Sequence, residues 1–545
     1  MTSEGFEPDI LRLVKISPLL AIVVAVTLTS CSANPGPAPV EDPVTEETNL
    51  SSTETSAEAT STPILSEEVI SVGIGVQNEG LNPHLIADSS YFVNSLASLV
   101  LPSAFRDGVM DTDVLESASM IESEDSEVAQ SLRYLISPSA QWSDGTPITG
   151  ADFRYLWLGM STTPGVIDPA GYRAISDIQV SADGRTVDVD FEQPVAEWRD
   201  MFDNLLPSHL LGSGATDFAN AMSDSVPASA GRYKVSSIDH ARGVIVINRN
   251  DRFWGEDPAQ IDQVSFQEIR SETQGVQQLR TGQMSFLDII PTETSVDAYS
   301  LMQGTQVRTV EDPRELQLTM SVNSPILMEQ AAREQLHSLI DVPLVARLAA
   351  GRSSDLSIPE YAPARGLDDE PPELLIQATT DSPLTLGVDP GDDTAVAAAR
   401  TIVDMLANYG VAAEMVSDDL DRITGQLLPD GEIDAVISWD ESDEGSITLA
   451  SDWLCPSQET SLRSGNLSGY CTPESDTLAA ELLAGEVDQE TAAEQFREIN
   501  ASEHLVVPLL GERRVMVLGE GIVGPDPDLE NWTAGLSTVA TWRMQ

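Results

Sequence analysis

The chain has 545 residues, 41% of them hydrophobic, and sets 88 acidic side chains against 28 basic ones for a formal net charge of −60. That length is too great for a single hydrophobic core and predicts two or three domains, and the apolar fraction is sufficient for globular folding. A surface this acidic repels phosphate backbones, and with no cluster of Lys or Arg to offset the repulsion it excludes nucleic acid as a partner.

Arg12 and Lys15 precede an apolar run over residues 16–28. The run is shorter than the roughly 18–20 residues a membrane-spanning helix needs, so residues 1–30 read as a signal peptide. Its end, Leu28-Thr29-Ser30-Cys31, is similar to a bacterial lipobox. That makes Cys31 the lipidation site, with a mature protein anchored by lipid to the extracytoplasmic face of the cell membrane. Residues 31–66 are almost wholly Ser, Thr, Pro, Glu and Ala, and with so little to bury they are expected to form a disordered tether.

Folding is expected to begin near Val69, where Ile70, Val72, Ile74 and Val76 alternate as a half-buried strand requires. An apolar helix is predicted over 96–105, closed by a Pro break. Leu132, Tyr134 and Ile136 mark another strand, and Ser143-Asp144-Gly145 a turn. Thr149 caps a helix with Asp152 at its third position, and Phe153, Leu156, Trp157 and Met160 give that helix an apolar face. A strand over Thr186–Phe191, an amphipathic segment over 200–210 and a strand over 244–250 follow. Gln278 to Gly282 then ends a helix with Gly in the left-handed terminal position. From about residue 311 the pattern becomes a second αβ region, with a strand over 317–322, a helix over 330–340 and a loop over 353–372. Strands over 384–388 and 411–416 flank a helix over 395–409, a crossover that argues for a parallel sheet. A buried strand is predicted over 433–439, and a last pair over 506–509 and 515–518.

Besides Cys31 the chain holds two cysteines, Cys455 and Cys471. An even remainder in an exported protein implies a disulfide, worth roughly 3 kcal/mol on the chain-entropy model. The five histidines show no zinc-binding spacing, and no nucleophile elbow, phosphate loop or dinucleotide fingerprint is present. No catalytic residue, metal or cofactor is therefore expected, and the chemistry points to binding. Paired carboxylates cannot be singled out among 88 acidic residues.

Several motifs carry a resemblance. Trp142-Ser143-Asp144-Gly145, Pro147-Ile148-Thr149 and Asp152 form one of them. Leu81-Asn82-Pro83, Gly231-Arg232-Tyr233-Lys234, the Asn250–Gly255 turn with Phe253 and Trp254, and Leu279 to Gly282 form the others. Together they resemble the extracytoplasmic solute-binding proteins of family 5, receptors for peptides, nickel and oligosaccharides. Arg232 departs from the family pattern, which has Pro there. The resemblance implies an α/β, periplasmic-binding-protein-like fold, with two αβ domains around a cleft and hinge crossovers near residues 311 and 506. It places an N-terminal αβ domain with an extra subdomain at 67–310 and a second αβ domain at 311–505. Residues 506–545 would return to the first domain.

Residues 81–85, 99–106, 164–172, 248–255 and 466–471 resemble an actinobacterial lipoprotein subgroup of this family. That implies a non-enzymatic role in lipomannan and lipoarabinomannan synthesis, with a mannosylated phosphoinositide or a membrane mannosyltransferase as partner. The alternative is a receptor feeding peptides or oligosaccharides to an ABC permease. For carbohydrate, the candidate platforms are Trp142, Tyr155, Trp157, Trp439 and Trp453, although Trp142 and Trp157 sit on the scaffold motif and read as core. For a peptide amino terminus, the family position after the 433–439 strand falls on Asp440. The candidate ligand-binding residues are thus Trp439, Asp440 and Trp453.

Overall fold

Two long strands, Gln306–Met320 and Val506–Leu518, lie antiparallel from Gln306 opposite Leu518 to Thr319 opposite Val506. They are taken from a computed structural model that describes residues 68–545 apart from 78–79, 124, 213, 361–370, 442–444 and 457–464. Residues 1–67, with the expected signal peptide, Cys31 and the expected tether, lie outside the described residues. The long strands form the middle of a ten-stranded sheet. On one side it continues through Ala435–Glu441, Leu384–Val388 and Ala413–Ser417. On the other it runs through Phe286–Ile289, Val69–Ile74, Gln263–Glu268, Val244–Arg249 and Tyr233–Asp239. A separate four-stranded antiparallel sheet takes Leu115–Ile121, Gln130–Ile136, Thr186–Phe191 and Ile175–Val180 in that order.

The central stretch folds as its local signals dictate. Leu132, Tyr134 and Ile136 are fully buried, and the helix Gly150–Thr162 starts with a capping box. In it the Thr149 hydroxyl accepts from the Ala151 N–H at 3.3 Å, while Asp152 accepts from the Thr149 N–H at 2.9 Å. Leu384–Val388, Asp393–Asn408 and Ala413–Ser417 form the expected crossover, with the two strands parallel.

Several elements differ from expectation; the strand expected over 317–322 begins at Gln306, and four others differ as follows. The first strand is Val69–Ile74, and Val76 lies beyond it, exposed. The helix expected over 96–105 is Tyr91–Val100, because Ser90 caps it and Leu101, the residue before Pro102, is held extended. Over 200–210 there is only the short turn Trp198–Asp200, since Phe202 and Asn204 adopt positive φ of 61° and 48°. The last two predicted strands are one, Val506–Leu518. The charged residues between them do not end it because each finds a counter-charge within the fold. Arg514 pairs with Asp288 and Asp312, Glu512 with Arg314, and Arg513 with Glu311 and Asp355. An irregularity between Glu311 and Glu315 accommodates Pro313, which has no N–H to give a ladder.

The apolar residues gather mainly into two cores. One holds Leu316, Leu336, Leu386, Ile402, Ile437 and Leu509. The larger holds Ile70, Leu132, Phe153, Tyr172 and Trp198. It also takes the buried faces of Ser446–Trp453, Pro473–Leu483 and Gln489–Glu503, through Ile447, Ala450, Leu482, Leu483 and Phe496. The Ala196 N–H donates to the Leu483 carbonyl at 2.9 Å, and the Ser446 N–H to Glu197 at 2.8 Å, fastening these helices to that core. After the last long strand, Trp532 and Trp542 pack on Phe286 at centroid distances of 5.3 and 5.0 Å.

Cys455 and Cys471 are disulfide-bonded, with Cα atoms 5.1 Å apart. Replacing both by Ser is expected to lower the unfolding free energy by about 3 kcal/mol, read from urea denaturation. An unchanged midpoint would show that this loop needs no clip.

Candidate functional site

The strand Gln306–Met320 shows how the fold divides its residues between core and cleft. Leu316, Leu318 and Met320 are buried in the second core, while Glu315, Gln317 and Thr319 alternate with them on a cavity of about 460 Å³. Residues from both cores line this cavity. Its next wall is the end of Ala435–Glu441, where the buried run stops and Trp439, Asp440 and Glu441 emerge half-buried. The helix Ser446–Trp453 adds Thr448, Asp452 and Trp453, and the loop before Ala170 adds Asp168.

Five carboxylates thus face one space: Asp168, Glu315, Asp440, Glu441 and Asp452. Burial raises Asp168 to about 7, with Glu441 and Asp440 adding to the rise, while the Thr448 hydroxyl, which donates to it at 2.9 Å, opposes it. Burial and then Asp440 push Glu315 to about 7. Asp440 itself rises to about 6 through burial and Glu441, with Arg314 pulling the other way. Asp452 is raised well above the ordinary carboxylate range by burial and by Asp440 and Asp168. Among the described residues, no donor or cation reaches the carboxylate of Glu315 or of Asp452. Glu441 accepts from the Asn94 side chain at 3.1 Å.

Among the described residues, two arginines line the same cavity. Arg314 donates to Glu512 at 3.0 Å and to the Ser89 carbonyl at 2.8 Å, and its guanidinium lies 5.5 Å from the Trp439 ring centre. Its charge is therefore already matched. Arg497 is exposed on the helix Gln489–Glu503. Trp453 stacks on Phe496 at 4.5 Å between centroids, making an aromatic pair in the cavity wall. Such a space favours groups that donate hydrogen bonds, hydroxyl or amine, and disfavours a buried anion.

Trp439, Asp440 and Trp453 all line the cavity, as does Asp168 from the 164–172 segment singled out above. Trp142, Tyr155 and Trp157 do not belong to its lining. Trp142 is fully buried, Tyr155 packs on Phe218 at 5.7 Å, and the Trp157 indole donates to the Tyr172 carbonyl at 3.1 Å. Ser143 exchanges hydrogen bonds with Ser229, and Asp144 accepts from Thr146 and contacts His209, so this motif serves the scaffold. Sequence reasoning missed Asp168, Glu315, Glu441, Asp452 and Phe496 as cavity residues. Only the alternation at 315–319 and the carboxylate beside Trp453 offered a signal. Among the described residues no group of His, Cys, Asp and Glu is placed to hold a metal, and no helix is long and apolar enough to cross a membrane.

Residues 117–446 match the family model for bacterial extracellular solute-binding proteins, family 5. The chain is 29% identical to the probable monoacyl phosphatidylinositol tetramannoside-binding protein LpqW of Mycobacterium tuberculosis, over 83% of this chain and 79% of that one. It is 27% identical to the oligopeptide-binding protein OppA of Mycobacterium bovis, over 48% of this chain and 45% of that one. Among solved structures, the oligopeptide-binding protein AppA from Bacillus subtilis, in complex with a nonapeptide, superposes with a TM-score of 0.64 at 14% identity, covering 88% of this chain and 99% of that one. The periplasmic EDTA-binding protein EppA gives a TM-score of 0.63 at 20% identity, over 88% and 97%. The family model spans more than half of the sequence and both structural likenesses share its fold, so the chain belongs to the family 5 extracellular solute-binding proteins.

Proposed function

We propose that this chain is a lipid-anchored, non-enzymatic receptor of the LpqW kind. Its cleft takes the neutral mannosyl part of a mannosylated phosphoinositide. The loaded protein then acts on lipomannan and lipoarabinomannan synthesis at the extracytoplasmic face, through a membrane mannosyltransferase. The observation that carries this reading is the set of cavity carboxylates beside the Trp453–Phe496 pair. Sugar hydroxyls would supply the donors that Glu315 and Asp452 lack, and an indole face suits the apolar side of a pyranose ring. The 29% identity to a relative named for a phosphatidylinositol tetramannoside supports the same ligand class. A phosphate would be repelled by these carboxylates, so the sugar and not the phosphate enters.

A second reading, import of peptides or oligosaccharides with an ABC permease, is favoured by one feature. Asp440 lies opposite Glu315 in the strand pairing, in a negative field suited to a peptide amino terminus. Calorimetry with α-mannobiose and with tripeptides separates the two. The mannosyl reading expects the disaccharide to bind and the peptides not to. Peptide binding that Asp440→Asn abolishes, without any mannoside binding, would overturn it. Deleting the gene should likewise alter mannolipid chain extension and leave peptide uptake intact.

A further inference from the structure

The cavity's carboxylates and its exposed arginine come from different elements, and that division answers a difficulty in the mannosyl reading, on which this inference rests. A phosphoinositide ligand carries a phosphodiester that the interior carboxylates exclude. The helix Gln489–Glu503 lays Ala493, Phe496, Arg497 and Asn500 along the cavity, at the three- and four-residue spacing of a single face. Of these, Asn500 is committed. Its amide oxygen accepts from the Leu505 and Val506 N–H groups, and its amide nitrogen donates to the Val506 carbonyl. Arg497 is not. Its Nε donates to the Ala493 carbonyl at 3.3 Å, and among the described residues no carboxylate lies within ion-pair distance of its guanidinium. Glu494 and Glu498 share the helix without reaching it.

Arg314, the other lining cation, is spoken for by Glu512 and the Ser89 carbonyl, and it is buried. Arg497 is exposed where the carboxylates are half-buried, so of the charges lining this space it is the one most open to a group that stays in solvent. Among the described residues the cavity thus presents donor-seeking half-buried groups and one exposed, planar, always-charged donor without a carboxylate partner. A guanidinium meets a phosphate through two parallel N–H donors. We propose that Arg497 is the specificity residue that receives the phosphodiester of the ligand, outside the cavity whose carboxylates hold its sugar.

Calorimetry with two probes tests this: neutral α-mannobiose, and a glycerophosphoinositol dimannoside carrying the phosphodiester. The wild-type protein is expected to bind the phosphodiester probe about tenfold more tightly at low salt, an advantage that shrinks as salt rises. Arg497→Gln should remove the advantage, lowering affinity for the phosphodiester probe about tenfold more than for α-mannobiose, and Arg497→Lys should keep part of it. Equal affinities in the wild type, or an advantage that survives Arg497→Gln, would overturn the assignment of Arg497 while leaving the mannosyl reading standing. Binding of neither probe would overturn the mannosyl reading and this inference with it. Because Arg497 is exposed, the variant's fold is checked by an unchanged unfolding midpoint.

Discussion

Arg514→Gln is expected to lower the unfolding free energy by about 3–5 kcal/mol, the usual cost of stranding one member of a buried ion pair. The Arg514 guanidinium donates to both oxygens of Asp288, at 2.6 and 2.7 Å, and to Asp312 at 3.1 Å, and it lies 3.0 Å from the centre of the Tyr91 ring. Burial pushes Asp288 up while Arg514 draws it down, so the arginine is what makes a charge tolerable there. Asp288 belongs to Phe286–Ile289 and Asp312 to the long strand Gln306–Met320, so losing Arg514 loosens the sheet where the chain passes between its two cores. Set against a total stability of about 5–15 kcal/mol, this is a large loss. Pairing the change with Asp288→Asn should restore part of it, because one of the two stranded charges is then gone while Asp312 still lacks its partner. Urea denaturation of both variants reads the difference, and a single-variant cost below about 1 kcal/mol would rule out Arg514 as the anchor of these strands.

Raising the pH from 5 to 8 is expected to lower the thermal midpoint of the unliganded protein. Asp168 and Glu315 titrate near 7 and Asp440 near 6 in the fold, and Asp452 higher than the ordinary carboxylate range. In the unfolded chain all four titrate near 4. Between those values these carboxyls hold more protons in the folded state than in the unfolded one, so they make stability fall as pH rises, against a smaller opposing slope below about pH 6.5 from His84 and His337, which burial lowers to about 4. Burial also raises Asp203 to about 8 and Asp421 to about 7, and these share the slope from elsewhere in the fold. Asp452→Asn should therefore raise the midpoint at pH 8, flatten the slope in part and change little at pH 4.5. A wild-type midpoint that is level or rising from pH 5 to 8 would contradict the clustering of these groups. A ligand that brings hydroxyl donors lowers the same pKa values, so its binding near pH 7 should release protons, measurable by calorimetry in buffers of different ionisation enthalpy.

The parts of this protein legible in its sequence are those decided within a few residues. The capping box at Thr149 and Asp152, the alternation at Leu132, Tyr134 and Ile136, and the crossover around Asp393–Asn408 all arise from neighbours one to four positions apart. Their energetics do not need the rest of the chain. The family motifs were legible for the same reason, and they mark the scaffold: Trp142 is buried in the large core and lines no part of the cavity.

Tertiary structure alone decided the continuity of Val506–Leu518. Glu512 and Arg514 look like an interruption until Arg314, Asp288 and Asp312 are brought beside them from nearly 200 residues away or more. It also decided the core that Ser446–Trp453 and Gln489–Glu503 join, because their apolar faces would fit either one. The site depends on it most. Among 88 acidic residues no local rule picks out Asp168, Glu315, Asp440 and Asp452, since a solvated carboxylate and a cavity carboxylate look alike in sequence. What separates them is burial and the charge of neighbours distant in the chain, and both exist only once the fold has closed around them.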